Sequence, residues 1–400
     1  MTSRRILLIS YSNLKDDPRV RRQIDWLSAD GWSIDTLGLG EHPASAADSH
    51  YALLPQAPWV RARWGSFLVY GALPSQAKFR YLMLDRIPQE LLSAIASGAY
   101  DCIVFEDYDF LPLLTLRKVF TGAALAKQIH LDMHEYRDPQ LELNSIRRML
   151  TDRYYRWRRS LIGHSAIDTR TTVASRIAEL YVDDFGVTLP EIVRNSPPRE
   201  DLTPSEVSDD NIQLVFHGMA SWARGFQEIF AALPTIDKRF SFTFMLTGNP
   251  TLIAQVKELA RPFGERVSFV DPVPMTEVPS RINEFDLEVI FYQPTAVNLE
   301  FSLPNKLFEA IQSRMGVVIG QSPMMAQIVN EFGVGVIVPG WSAADLAATI
   351  NGLTAAKVRE LKNASHLAAD ALSAETEGAA FIAALGRYPD ATNSSPEHSR

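Results

Sequence analysis

The 400-residue chain has one cysteine, Cys102. No disulfide can form within it and no cysteine-based zinc site can be built from it, which fits a reducing compartment. A basic excess is lacking too: 39 Lys and Arg against 47 Asp and Glu leave a net charge of −8. That balance removes the global electrostatic footprint of a nucleic-acid binder. No window approaches the ~18 apolar residues of a membrane span. The first apolar run, Ile6–Ile9, is too short for a signal peptide and gives way to polar residues. The chain is therefore expected to be cytoplasmic, soluble or at most peripheral to the inner face of a membrane. The first strand is followed by no Gly-x-Gly-x-x-Gly run, so a dinucleotide fingerprint is missing.

What the chain does have is strand-helix alternation. Apolar runs such as Ile6–Ser10, Asp101–Phe105 and Gln128–Asp132 read as buried parallel strands. Tyr11–Arg19 reads as a polar loop, Leu143–Gly163 as a long basic helix, and Ser165–Thr169 as a short strand. Tyr51–Leu84 has no regular period and is rich in aromatics and arginine. Residues 196–211 contain Pro197, Pro198, Pro204 and a run of acids, and read as an exposed linker. After them the alternation restarts.

The expected architecture is α/β, with two Rossmann-like halves. The first covers residues 1–195 and the second 212–373. A C-terminal helix, 374–388, is expected to cross back to the first half, and 389–400 to form a polar, disordered tail. Open parallel sheets take ligands beyond the carboxyl ends of their strands, so two facing sheets would make an interdomain cleft.

Four segments could carry chemistry. In Phe301–Ala310, Asn305 and Glu309 share a helix face with Gln312 at i, i+4, i+7. Pro304 suits the first helical turn. The free amides of that turn favour a phosphate, and Glu309 is placed to accept from ribose hydroxyls. A capped surface helix fits the same spacing. In His217–Gly225, a glycine-bearing loop with Arg224 at a helix start suits a diphosphate clamp, although such loops are common. Asp132-Met133-His134-Glu135 ends a strand of the first half. His134 there suits donation to a sugar hydroxyl or proton transfer, and equally a structural hydrogen bond. It has no second ligand at metal-site spacing, so no metal is expected. Asp17 and Arg19 lie in the first strand-helix loop, where the acid also reads as a helix N-cap.

Taken together, these segments resemble the bacterial glycosyltransferases of the two-Rossmann-domain GT-B fold, retaining family 4. The resemblance covers nearly the whole chain. It rests on Asp17-Pro18-Arg19-Val20, Asp132-Met133-His134-Glu135, Gly218 to Gly225, and Pro304-Asn305-Lys306-Leu307-Phe308-Glu309 with Gly316-Val317-Val318-Ile319 behind. It implies a sugar transfer from a nucleoside diphosphate sugar with retention, no cofactor, and a UDP-sugar ahead of a GDP-sugar as donor.

The resemblance gives Glu309 to the donor ribose, Arg224 to the diphosphate and His134 to the donor sugar. Gly218, Gly248, Asn249, Val273, Ser302, Leu303, Asn305 and Lys306 fall on the donor side. Asp17, Arg19, Glu106 and Glu135 fall on the acceptor or sugar side. The chain departs from the family pattern in three places. Phe301 stands where the first motif glutamate belongs, one residue after Glu300. Met219 replaces the phosphate arginine, a charge that Lys306 could restore, and Glu106 replaces a histidine.

The acceptor is expected to be a glycan, a lipid-linked sugar or a small molecule. Arg147, Arg148, Arg153, Arg156, Arg158 and Arg159 share the basic helix with Tyr154, Tyr155 and Trp157. With Trp59, Arg61, Arg63, Trp64 and Phe67 they could make peripheral contact with anionic lipid, or simply pair with acids and core. Two other functions fit the same pattern: a nucleotide-sugar epimerase using Glu106, Asp107, His134 and Glu135, and a catalytically degenerate binding partner, as Phe301 and Met219 would suggest.

Overall fold

The computed structural model describes residues 4–43, 46–116, 126–136 and 145–386. The expected tail, 389–400, and the side chains of Arg63, Arg147 and Arg148 lie outside what is described. The chain forms two compact units. One holds Met1–Val193 with the chain from Gly378 onward, the other Arg194–Glu377.

The first unit is built on seven strands: β1 (Arg5–Asn13), β2 (Ser33–Leu39), β3 (Ser49–Ala52), β4 (Cys102–Glu106), β5 (Gln128–Met133), β6 (Thr169–Thr172) and β7 (Glu191–Ile192). They lie in the order β3-β2-β1-β4-β5-β6-β7, and neighbours are parallel. Ile6, Leu7, Leu8 and Ile9 are all fully buried, as a strand covered on both faces requires. The helix Pro18–Ala29 starts where the Asp17 carboxylate accepts from the amides of Arg19 (3.1 Å) and Val20 (3.3 Å). Its Val20, Ile24 and Leu27 pack with Ile6, Leu8 and Val104. Phe381, from the C-terminal helix Ala374–Gly386, joins this cluster against Trp26, ring centroids 5.8 Å apart.

Three local expectations change. β1 continues to Asn13, so the supposed polar loop begins as strand. Tyr51–Leu84 is not irregular: it contains the helices Pro58–Arg61, Arg63–Phe67 and Ser75–Leu82. These are too short to show a period in sequence. The strand expected at Ser165–Thr169 lies at Thr169–Thr172 instead. Its polar sequence is buried because Thr171 donates to Asp132 (2.5 Å) and Thr172 to the Met133 carbonyl (2.9 Å).

The second unit has six parallel strands: β8 (Ile212–Met219), β9 (Phe240–Thr247), β10 (Val267–Val270), β11 (Leu287–Ile290), β12 (Gly316–Ile319) and β13 (Gly335–Ile337). Their order is β10-β9-β8-β11-β12-β13. The 196–211 segment is not an exposed tether. Arg314, fully buried, donates to the carbonyls of Glu200 and Leu202, and Val207 enters the core. Ser205 bonds the Asn283 carbonyl and Lys362.

In each sheet the chain order reverses between two central strands, β1 and β4 in the first unit, β8 and β11 in the second. Such switch points open a crevice at the carboxyl ends of the strands, where open α/β sheets take ligands.

Candidate active site

Around the second switch point, His217 lies near the end of β8 and Glu288 sits inside β11, both buried. Glu309 and Lys306 come from the helix Asn305–Gln312, which connects β11 to β12. The His217 ring lies between two carboxylates. Nδ1 is 2.9 Å from Glu288 and Nε2 is 2.8 Å from Glu309. Burial opposes a charged imidazole, but the two glutamates outweigh it and lift His217 to about 9. The ring is therefore an imidazolium at neutral pH, donating at both nitrogens.

Lys306 occupies the same pocket. Its ammonium donates to the His217 carbonyl, lies 3.4 Å from the Phe216 ring centroid and is 3.8 Å from Glu288. Burial pulls it down to about 7, against the attraction of Glu288, and the charge of Arg224 adds to the depression. Arg224 stacks over Tyr292, 4.7 Å to the ring centroid, and donates to its hydroxyl. A Cβ placed on Gly218 would lie 3.8 Å from the Lys306 ammonium, and the φ of +106° there suits glycine. Gly225 follows Arg224 with φ +76°, and a Cβ there would meet the Phe291 carbonyl oxygen at 2.2 Å. Two cations and a bare backbone thus meet at the carboxyl end of β8, the arrangement that suits a diphosphate.

In the first unit, Asp132 is the buried centre of a network. Arg19 grips it with Nε (2.6 Å) and Nη2 (2.7 Å) while Nη1 donates to the Val193 carbonyl (2.8 Å). Gln23 and Thr171 also donate to Asp132. Burial opposes ionisation of Asp132, but the Arg19 guanidinium overrides it and holds the carboxyl well below its usual range. Glu106, at the end of β4, is 2.6 Å from His134 Nε2. Burial, then the charge of Asp132, pushes Glu106 up, while Asp107, Asp132 and Glu106 outweigh burial and raise His134. Asp107 has φ +58°, uncommon for a non-glycine residue, and accepts from the His134 amide at 3.1 Å.

Glu106, Asp132 and His134 bring one ligand atom each within 4.8 Å of one another. Sequence spacing around His134 shows no such cluster, because β4 and β5 bring it together. Both Asp132 oxygens are nonetheless bonded by Arg19, Gln23 and Thr171, and the guanidinium charge sits against them. That donor set does not fit a dication.

Residues 211–356 match a family model described as "Glycosyl transferases group 1". Solved structures resemble the whole chain. Sucrose-phosphate synthase from Thermosynechococcus elongatus is 15% identical, with 95% of this chain and 98% of that one covered at a TM-score of 0.65. A glycosyltransferase from Rickettsia africae is 11% identical over 97% and 100% of the two chains, at 0.65. HepE of Anabaena, in complex with UDP and glucose, is 13% identical over 96% and 99%, at 0.64. The fold is GT-B. The family match adds support for a group 1 glycosyltransferase. Comparison with curated proteins found no match.

The GT-B frame sorts the remaining site residues. Asp17 is a half-buried helix cap, and Arg19, 2% exposed, braces Asp132 and Val193. Glu135 is exposed, and its carbonyl accepts from Tyr181 at 3.0 Å. Asn249 caps the helix Pro250–Ala260 through the Thr251 amide (2.9 Å), and Gly248 before it has φ +101°. Val273 and Leu303 are half-buried against the core, and Ser302 bonds the Leu299 carbonyl. Pro304 takes the N-cap position, with the helix starting one residue later at Asn305. The Asn305 side chain accepts from Asn195 at 2.5 Å. Phe301 ends the short helix Val297–Glu300.

Sequence reading includes His217 in a candidate segment without giving it a role, and passes over Glu288 and Tyr292. One signal is visible: Glu288 is an acid inside an otherwise apolar strand, which demands a buried partner.

Proposed function

We propose that the chain transfers a sugar from a nucleoside diphosphate sugar, UDP-linked ahead of GDP-linked, with retention at the anomeric carbon and no metal. The acceptor is a glycan, a lipid-linked sugar or a small molecule, and peripheral contact with an anionic membrane would bring the chain to a lipid-linked one. The observation that carries the reading is the pairing of Arg224 and Lys306 beside Gly218, with Glu309 held by His217, at the switch point of the second sheet. HepE, a structural neighbour, is in complex with UDP and glucose, which fits a UDP donor.

In this reading the bond from the anomeric carbon to the diphosphate oxygen breaks, and its electron pair stays on the leaving phosphate. Arg224, Lys306 and the first-turn amides of Asn305–Gln312 would stabilise that charge, each such donor contributing about 3–4 kcal/mol. The acceptor hydroxyl forms the new bond, and its proton passes to the departing phosphate. Glu309 would accept from ribose hydroxyls. His134, with Gly218, Gly248, Asn249, Val273, Ser302 and Leu303 as donor neighbours, would donate to the sugar. Glu106 and Asp107 would hold His134 rather than touch substrate. The chemistry is tested by donor hydrolysis and transfer across a panel of nucleotide sugars. Arg224→Ala and Glu309→Ala should each lose activity on the donor the wild type uses. Unchanged rates in both would remove the assignment.

A further inference from the structure

Between Asp48 and Asp85 the chain carries no acidic residue, yet it holds Arg61, Arg63, Lys78 and Arg80. In a chain with 47 acids among 400 residues, a 36-residue gap (49–84) marks a local surface unlike the rest. The helix Ser145–Ser160 packs against the same segment and holds six arginines to one acid, Asp152.

The structure changes which of these residues are available. Arg158 turns inward to Asp109 and sits over Tyr154 and Tyr155, at 4.7 and 4.8 Å. Arg159 pairs with Asp184. The half of the basic helix that sequence reading offers to lipid is therefore partly engaged inside the unit. Arg153 and Arg156 remain exposed, Arg156 in a surface ion pair with Asp152 one turn away.

The apolar element lies on a neighbouring turn. Trp64, Phe67 and Leu68 stand at i, i+3, i+4 on the continuous turns of 63–72, with Trp64 63% and Phe67 68% exposed. Trp64 stacks on Trp59 (6.1 Å between centroids), Trp59 meets Tyr81 edge-on (5.1 Å), and Lys78 ties the Tyr70 carbonyl at 2.6 Å. Arg61 and Arg80 are exposed beside them, Arg80 at 3.4 Å from Asp85 on the edge of the acid-free stretch.

We infer that Trp64, Phe67 and Leu68 insert into the boundary of an anionic lipid surface, with Arg61, Arg80, Arg153 and Arg156 meeting its headgroups. Two features choose this partner. Exposed aromatics suit the interfacial layer, where an apolar body and a nearby cation are both satisfied. The scarcity of acids removes the repulsion that an anionic surface would otherwise meet. The same charge disfavours a second copy of this chain docking face to face. The inference rests on the membrane contact proposed above and names the surface that makes it.

The test is flotation of the full chain with vesicles of phosphatidylcholine alone or mixed with phosphatidylglycerol. The wild type should float with the mixed vesicles at low salt, far less with the neutral ones, and less again at about 1 M NaCl, where the Debye length is about 3 Å. Trp64→Ser with Phe67→Ser should lower partitioning into mixed vesicles roughly tenfold or more. Arg61→Gln with Arg80→Gln should weaken binding and flatten its salt dependence. The inference is overturned if the wild type stays unbound, or if the Trp64/Phe67 variant floats as well as wild type. Capture of the chain by an acidic protein without vesicle binding also overturns it. UDP binding, measured on the same preparations, should be equal in wild type and variants. Lost vesicle binding with intact UDP binding places the effect in this surface, and absent UDP binding in the wild type counts against the transferase reading alone.

Discussion

His217 Nε2 lies 2.8 Å from a Glu309 oxygen while its other nitrogen holds Glu288 at 2.9 Å. One imidazolium therefore fixes the carboxylate assigned to the ribose and compensates an acid buried inside a strand.

Replacing His217 by Gln takes from Glu288 the imidazolium 2.9 Å away and leaves it only Lys306 at 3.8 Å, a loss of up to about 3–5 kcal/mol. The pH course separates this from a packing defect. His217 sits near 9 when folded, against 6.5 when free, so its stabilisation is complete below about pH 6.5 and fades as pH rises through 9. Lys306 runs the other way. Its folded value near 7 lies below 10.5, so its burial costs nothing above 10.5 and its full amount below 7. Between 7 and 9 the two partly cancel in the wild type. Urea unfolding at several pH values should show the gap between wild type and His217→Gln widest near pH 6 and narrowing toward pH 9.5. A gap independent of pH would contradict the imidazolium.

Lys306 predicts a proton linkage on ligand binding. A diphosphate beside its amine favours the charged form, so UDP binding near pH 8 should take up a proton. Calorimetry in buffers of different ionisation enthalpy reads this directly. Uptake should vanish in Lys306→Met, and a wild type without uptake would place the diphosphate elsewhere.

Gly225→Ala combines a φ of +76° with a Cβ 2.2 Å from the Phe291 carbonyl oxygen. The loop carrying Arg224 must shift, at a cost of about 1–3 kcal/mol. Thermal unfolding measures the first effect and weakened UDP binding the second. A variant of wild-type stability would mean that the loop relaxes freely.

Asp17→Ala tests cap against acceptor contact. Loss of the cap on Pro18–Ala29 costs about 1 kcal/mol. Stability should fall by that amount with acceptor KM unchanged, and a raised acceptor KM at unchanged stability would return Asp17 to the acceptor side.

Apolar runs make much of the fold legible. Ile6–Ile9 and Val317–Ile319 read as buried strands and are so. The failures have a physical pattern. Thr169–Thr172 looks polar but is buried because its hydroxyls find Asp132 and the Met133 carbonyl, partners that sequence spacing cannot show. The short helices of 58–82 rest on aromatic stacking rather than on a periodic stripe. Of the candidate donor residues, Arg224, Lys306 and Glu309 are named by their motifs, and the second unit brings them around His217 and Tyr292. Glu288 and Tyr292 are not, since their roles depend on which strand lies beside β8. The surroundings of Arg19 are hidden for the same reason: its partners Asp132 and Val193 are 113 and 174 residues away.

The proposed diphosphate site at the end of β8 is tested most directly by titration calorimetry of UDP and GDP. The wild type is compared with Arg224→Ala combined with Lys306→Met. Removing two charge-assisted hydrogen-bond donors together predicts a fall in affinity of roughly 100-fold or more for the nucleotide the wild type binds. Equal affinity in wild type and double variant, or a wild type that binds neither nucleotide, would contradict it.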